Sequence, residues 1–228
     1  MELFLKIINE LMEGFGNTLL LFAVTLIVAL PLGLALAFGA LSRFKPLKYL
    51  VNGLVWVIRG TPLMLQILLV SFLPKYLLSV NNKQVALFFG VSMKTLLFIF
   101  VAVAFVINYS CYFSEIFRSG IQAVSKGQYE AGKVLGLNKT QVFFQVVLMQ
   151  VVKIIIPPMS NEIITLVKDT ALAQVLGVVD LLNAANHAVN AYVVLSPLLY
   201  AAVFYLIFNG ILTILFGFLE KKLSYYKV

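Results

Sequence analysis

The chain has 228 residues, of which 62% are hydrophobic and 11% charged, where an ordinary soluble domain carries about 25% charged residues. With a mean hydropathy of +1.02, this composition excludes a soluble enzyme, a nucleic-acid module and a disordered tail, because folding in water would leave too much apolar surface exposed. The net charge of +8 is read as membrane topology rather than as a polyanion partner, since cationic loops are held on the cytoplasmic side.

Uncharged runs mark the spans. Residues 14–42 form an uncharged run of 29, and about 20 suffice to cross hydrocarbon. The first helix is placed near 17–41, with Pro31 and Gly33 marking a kink or close packing. Its apolar run continues far past signal-peptide length, so it is read as a retained helix. A second span, 49–74, holds one charge, Arg59, followed by Gly60-Thr61-Pro62. A third, 93–117, reaches Glu115 before its first charge past Lys94. A fourth, 145–168, is apolar apart from Lys153, Glu162 and Lys168. Residues 169–193 contain Asp169, Asp180, Asn183, Asn186, His187 and Asn190 and are too polar to face lipid. A fifth span covers about 194–219.

The expected fold is an all-α polytopic membrane protein, one transmembrane domain over 1–228 with five spans. With the N-terminus outside, the inner segments hold ten cations: Arg43, Lys45, Lys48, Arg118, Lys126, Lys133, Lys139, Lys221, Lys222 and Lys227. The outer segments hold four: Lys6, Lys75, Lys83 and Lys94. That asymmetry predicts an outer N-terminus and a cytoplasmic C-terminus. Trp56, Tyr109, Tyr112, Tyr192, Tyr225 and Tyr226 read as interfacial anchors or packing. Cys111 is alone, so no internal disulfide is available.

The longest inner segment is 118–145. A helix over 126–135 is expected, with Lys126, Glu130 and Lys133 interleaved with Tyr129, Ala131 and Val134. Gly136 suits a left-handed helix end, and Asn138 can cap a second helix from Lys139. The result is a cytoplasmic helix pair: either an ordinary solvated hairpin or a docking knob.

Glu130-Ala131-Gly132, Gly136, Val146 and Leu148 resemble the EAA loop of permease subunits of ABC importers, in which Glu-Ala-Ala, three residues, Gly and nine residues lead to Ile-x-Leu-Pro. Two positions depart. Gly132 replaces Ala, at a helix-propensity cost of about 1 kcal/mol, and Met149 replaces Pro, which predicts a straighter entry to the fourth helix. Three further stretches resemble the amino-acid subgroup of that family: Arg59-Gly60-Thr61-Pro62-Leu63-Met64-Leu65-Gln66, Ser114 to Gln122, and Pro157 to Glu162 with Lys168 to Ala173.

The resemblance implies a permease of the bacterial cytoplasmic membrane that moves an amino acid by alternating access. Its implied partners are a cytoplasmic ATPase dimer, which holds the ATP and Mg, and a second permease chain, identical or related. An extracellular or periplasmic solute-binding protein and membrane lipid complete the set. Glu130, Ala131, Gly132 and Gly136, flanked by Lys126 and Lys133, are the expected ATPase contacts. The alternative for Glu130 is a solvated pair with either lysine.

Ionisable groups inside spans are costly and default to function. Arg59 lies roughly 16 Å along the helix from Lys48, and Glu162 is expected at similar depth. On a helical wheel Glu162, Thr165, Leu166 and Asp169 share a face. An amino acid is a zwitterion, so Glu162 is the candidate for its ammonium. The Gly60-Thr61 break, with Asn108 or Arg59 nearby, is the candidate for its carboxylate, and Gln66 and Asn161 are further substrate-pathway candidates. The alternative is that Arg59 and Glu162 pair with each other. The resemblance makes Asp169, Thr170 and Leu172 gate candidates, the alternative being a re-entrant helix that merely packs, and the capping ability of Thr170 and Asp180 allows a helix start at either.

No Gly-x-x-x-x-Gly-Lys-Ser/Thr run occurs, no metal-ligand spacing is present, and His187 is isolated. No catalytic residues, metal or cofactor are therefore assigned to this chain. A competing class is a proton-coupled transporter or channel using Glu162 or Asp169 as relay.

Overall fold

A computed structural model describes residues 2–223; Tyr225, Tyr226 and Lys227 lie outside them. Every regular element among the described residues is helical.

Helix α1, Glu2–Ala40, begins well before the expected first span and passes Pro31 without a break. At 39 residues it is about 58 Å long, nearly twice the hydrocarbon thickness. Its extra turns are occupied: Ile7 and Leu11 pack on Leu181, Ala184 and Ala185 of a later helix, α9 (Leu181–Tyr192). Tyr192 also donates its hydroxyl to Glu10 at 2.8 Å.

The expected second span is not one helix. It divides into α2 (Lys45–Arg59) and α3 (Leu63–Leu78), bent by 110° at Gly60-Thr61-Pro62. Proline cannot donate a helix hydrogen bond and disfavours α geometry in the residue before it. Gly60-Thr61-Pro62 marks the break in the sequence, but apolar length alone does not report its angle. A short helix, α4 (Asn82–Phe88), follows, closed by a capping box between Asn81 and Gln84.

Helix α5, Met93–Ala123, is the most enclosed span. Val101, Phe105, Tyr109 and Phe113 form the centre of the core with Leu21, Ile67 and Leu166. Tyr109 is thus a core residue, 2% exposed, and not an interfacial anchor. Gly33 of α1 meets α5 closely: a Cβ there would sit 2.8 Å from Phe113 Cβ and 3.0 Å from the Ser110 carbonyl.

Two short helices, α6 (Lys126–Val134) and α7 (Lys139–Val142), lead into a π turn over Phe143–Val147 and then α8 (Leu148–Asp169). The π turn lies just before Met149, and Lys139–Leu176 runs as one helical span without a sharp bend, as the loss of proline at 149 led one to expect. Pro157 and Pro158 are accommodated inside α8. No helix starts at Thr170; the chain continues as a tighter 3-10 helix through Leu176. The new helix is α9, which Asp180 caps by accepting from the backbone N–H groups of Leu182 and Asn183. Helix α10 (Ser196–Leu223) is peripheral: Leu199, Leu206, Ile207, Ile211 and Ile214 are exposed, as a lipid-facing span requires. The described residues thus include four long apolar helices and one bent pair.

Candidate functional site

The hairpin between α5 and α8 is held by local chemistry. Gly136 has φ of +76°, a conformation that costs a residue with a Cβ 1–2 kcal/mol. Its N–H reaches the Lys133 carbonyl and that of Leu137 reaches Gly132, both at 3.0 Å. Asn138 and Gln141 then form a reciprocal capping box at 2.9 Å. Val142 packs with Val124, Val147 and Val151, which seats the hairpin on the end of its neighbouring spans.

Gly132 is the point of closest approach. A Cβ there would lie 2.6 Å from Val142 Cγ2, so the departure from alanine is matched by a branched side chain facing it. Gly132→Ala is expected to lower transport several-fold by displacing α6, and adding Val142→Ala is expected to restore it. Uptake in membranes carrying equal amounts of each variant checks both statements.

Glu130, Ala131, Lys126 and Lys133 are exposed. Glu130 forms no ion pair with either lysine among the described residues. Beside it Val134 and Leu135 are 88% and 77% exposed. The Gly127-to-Lys133 stretch has glycine spacing like that of a phosphate loop but ends on Val134 and lies within α6. Its N–H groups are not splayed as a nucleotide cradle would need. The neighbouring Ser114–Gln122 motif is paired within itself: Arg118 bonds Glu115 and, at 3.0 Å, Gln122.

The second group surrounds the bend. Gln66 donates to the Ile58 carbonyl at 2.8 Å, the Thr61 carbonyl at 3.1 Å and the Thr61 hydroxyl at 2.9 Å. Asn108 of α5 donates to Gln66 Oε1 at 3.0 Å. Both amides are buried. They satisfy carbonyls released by the break and fasten it to α5. In an apolar surround such groups are costly to leave unpaired. Gln66→Ala should cost about 1–3 kcal/mol and lower the unfolding midpoint of the detergent-solubilised protein, with Asn108→Ala a smaller version of the same effect.

Arg59 projects from the bend, exposed, with its guanidinium 5.1 Å from the Tyr112 ring centroid. It makes no contact ion pair with Glu162 among the described residues, although its charge reaches both Glu162 and Glu115. Glu162 is half-buried and Asn161 beside it is exposed. One step of the wheel, about 100°, changes the environment: Leu166 is in the core while Thr165 is exposed and bonds back to the Asn161 carbonyl. Tyr109 donates to Asp169 Oδ2 at 2.7 Å. This bond joins α5 to α8 across 60 positions, and the sequence offered no local sign of it. Thr170 is fully buried, with its hydroxyl on the Val167 carbonyl, and Leu172 packs against the core. The structure thus brings Arg59, Tyr112, Glu162, Tyr109 and Asp169 into one region. Gln66 and Asn108 brace it from within, and Thr61 closes the bend.

A family model described as "binding-protein-dependent transport system inner membrane component" matches residues 29–225. Among curated proteins, the arginine transport system permease protein ArtQ of Bacillus subtilis is 35% identical over 94% of this chain and 92% of its own length. The probable glutamine ABC transporter permease protein GlnM of the same organism is 34% identical, with 93% of each chain covered. An amino acid ABC transporter crystallised with histidines superposes with a TM-score of 0.82 at 29% identity, covering 96% of both chains. The MetNI methionine ABC transporter shares the fold, with a TM-score of 0.64 at 13% identity.

Proposed function

The chain belongs to the family of binding-protein-dependent transport system inner membrane components, and from that premise we propose how its geometry works in an ATP-driven amino-acid importer. It is the multi-pass permease subunit, and nothing in it performs the hydrolysis. Arginine and glutamine appear in the names of its relatives, so a polar amino acid is the substrate class. The same relatives favour this reading over a proton-coupled carrier. Asp169, one of the two carboxylates such a carrier would use, is already engaged by Tyr109.

The 126–142 hairpin is the coupling element. The observation that carries this is an exposed, unpaired Glu130 beside the exposed Val134-Leu135 tip, on a hairpin locked by the Gly132–Val142 contact. A rigid knob with an apolar tip and exposed charges of both signs suits a groove on a cytoplasmic ATPase and transmits displacement without chemistry of its own. ATP binding there closes the ATPase dimer, moves the knob and turns the pathway outward. A second permease chain completes the pathway, and a solute-binding protein delivers the amino acid. The N-terminus lies outside and the C-terminus inside the bacterial cytoplasmic membrane; the cation asymmetry supports this orientation. Within the pathway Glu162 receives the ammonium, and Arg59, held over Tyr112 and free of a contact carboxylate, faces the acid group. Asp169 and Tyr109, with Thr170 and Leu172, form the latch beyond them.

Purification of the full chain from its native membrane in mild detergent tests the coupling. A stoichiometric ATPase is expected, and it is expected to be lost on Glu130→Lys and on Gly136→Val. Gradient-driven uptake by the chain alone, with no ATPase under several mild detergents, would overturn the proposal.

A further inference from the structure

A second charged cleft lies between the N-terminal half of α1 and the start of α5, the end of α5 remote from the hairpin. Its volume is about 480 Å³, and Glu13 and Asn17 of α1 and Lys94 and Thr95 of α5 supply its polar lining. From Lys94 to Tyr109 the rise along α5 is roughly 22 Å, so this cleft is separate from the region around Glu162. Glu13 and Lys94 line it together, yet neither enters an ion pair among the described residues.

We propose that this cleft binds a zwitterion: one molecule carrying an ammonium and an acid anion. A ligand with a single charge would satisfy one wall and leave the other, and a neutral ligand would satisfy neither. The ammonium goes to Glu13 and to the Asn17 carbonyl oxygen. The Asn17 amide is oriented for this because its Nδ2 is committed to the Val179 carbonyl at 2.7 Å, which turns Oδ1 the other way. The acid anion goes to Lys94 and the Thr95 hydroxyl. These lie in the first turn of α5, whose dipole favours negative charge; Ser92 caps the Thr95 N–H at 3.1 Å and its hydroxyl lies 2.8 Å from that of Thr95, so with Ser92 donating, the Thr95 O–H is available to the anion. Leu20, Phe98 and Val178 form the apolar remainder of the wall, which accommodates the start of an acyl chain or a side chain. Two sources share this chemistry: a phosphatidylethanolamine headgroup at the membrane edge, and a free amino acid. The inference stands apart from the transport reading, because binding is read without uptake and its failure leaves the importer assignment untouched.

The full chain in detergent is examined by native mass spectrometry with equal doses of phosphatidylethanolamine and phosphatidylglycerol, and by equilibrium dialysis with radiolabelled glutamine. Retention of phosphatidylethanolamine about fivefold above phosphatidylglycerol is expected, falling about tenfold in both Glu13→Gln and Lys94→Gln. Both exposed positions keep the protein monodisperse on size exclusion. Glutamine retained in place of lipid, lost in the same two variants and kept in Glu162→Gln, assigns the site to a free amino acid and supports the same chemistry. Equal retention of both lipids, dependence on only one of the two charges, or no retention of any probe overturns the proposal.

Discussion

Glu162→Gln is expected to reduce uptake by roughly two orders of magnitude while leaving the protein folded and its ATPase bound. Glutamine matches glutamate in size and keeps its hydrogen-bonding capacity; only the charge is removed. Loss of a charged partner in a desolvated contact costs about 3 kcal/mol or more, which corresponds to that factor. Glu162 has a position suited to the role: half-buried on α8, in the field of Arg59 but not in contact with it. Uptake of labelled arginine and glutamine into proteoliposomes, with the complex quantified by gel, is the measurement. The double variant Glu162→Gln/Arg59→Gln separates the two roles. If the pair existed only to neutralise itself, removing both charges would recover transport. If Glu162 receives the substrate ammonium, the double variant stays inactive. Normal affinity and rate in Glu162→Gln would remove it from the pathway.

Gly33→Val is expected to prevent folding of the whole domain. The atoms a Cβ would strike are Phe113 Cβ, the Ser110 carbonyl oxygen and the Ser114 nitrogen, at 2.8, 3.0 and 3.2 Å. None of them can rotate away, so α1 must separate from α5 along the seam that carries the core. Overpacking costs about 1–3 kcal/mol where side chains can yield, and backbone cannot yield, so the upper end or more applies. Loss of monodisperse protein on size exclusion, or a strongly lowered thermal midpoint, is the expected readout. Gly53→Ala is the control. Nothing lies within 4 Å of its added Cβ, and the change is expected to stabilise α2 by up to about 1 kcal/mol.

The parts of this protein that were readable from residues alone are those fixed by local chemistry. An uncharged run marks a span, a left-handed glycine fixes the hairpin turn, and Asn138 marks the next helix start; its reciprocal partner Gln141 came only from the structure. The bend after Arg59 was signalled by Gly60-Thr61-Pro62, but its angle depends on Gln66 and Asn108, which meet across 42 positions. The Tyr109–Asp169 bond was illegible for the same reason: each residue is ordinary in its own neighbourhood. Thr170 read as a cap because threonine often is one, whereas packing of its hydroxyl onto Val167 keeps the chain helical. Gly132 read as a weak point in a helix, and only the side chain opposite reveals it as a fitted one. Asn108 and Gln66 read as pathway donors; their burial and mutual bond make them the frame that holds Thr61 and Arg59 in place.

A π turn holds more residues than an α turn, so the Phe143–Val147 segment sets α7 and α8 out of phase. The face of the hairpin and the face of α8 that carries Glu162 are thus aligned by that one turn and not by helix continuity. Deleting one residue within 143–147 would absorb the extra residue and leave the aim nearly unchanged, whereas regularising the segment to α geometry at unchanged length would rotate the knob by about 100° relative to α8. All the contacts within the knob would survive, and all would be aimed elsewhere. Angular aim is accordingly a property of this chain separate from the identity of its contact residues, and under the proposed coupling role a variant would lose function with every recognisable motif intact.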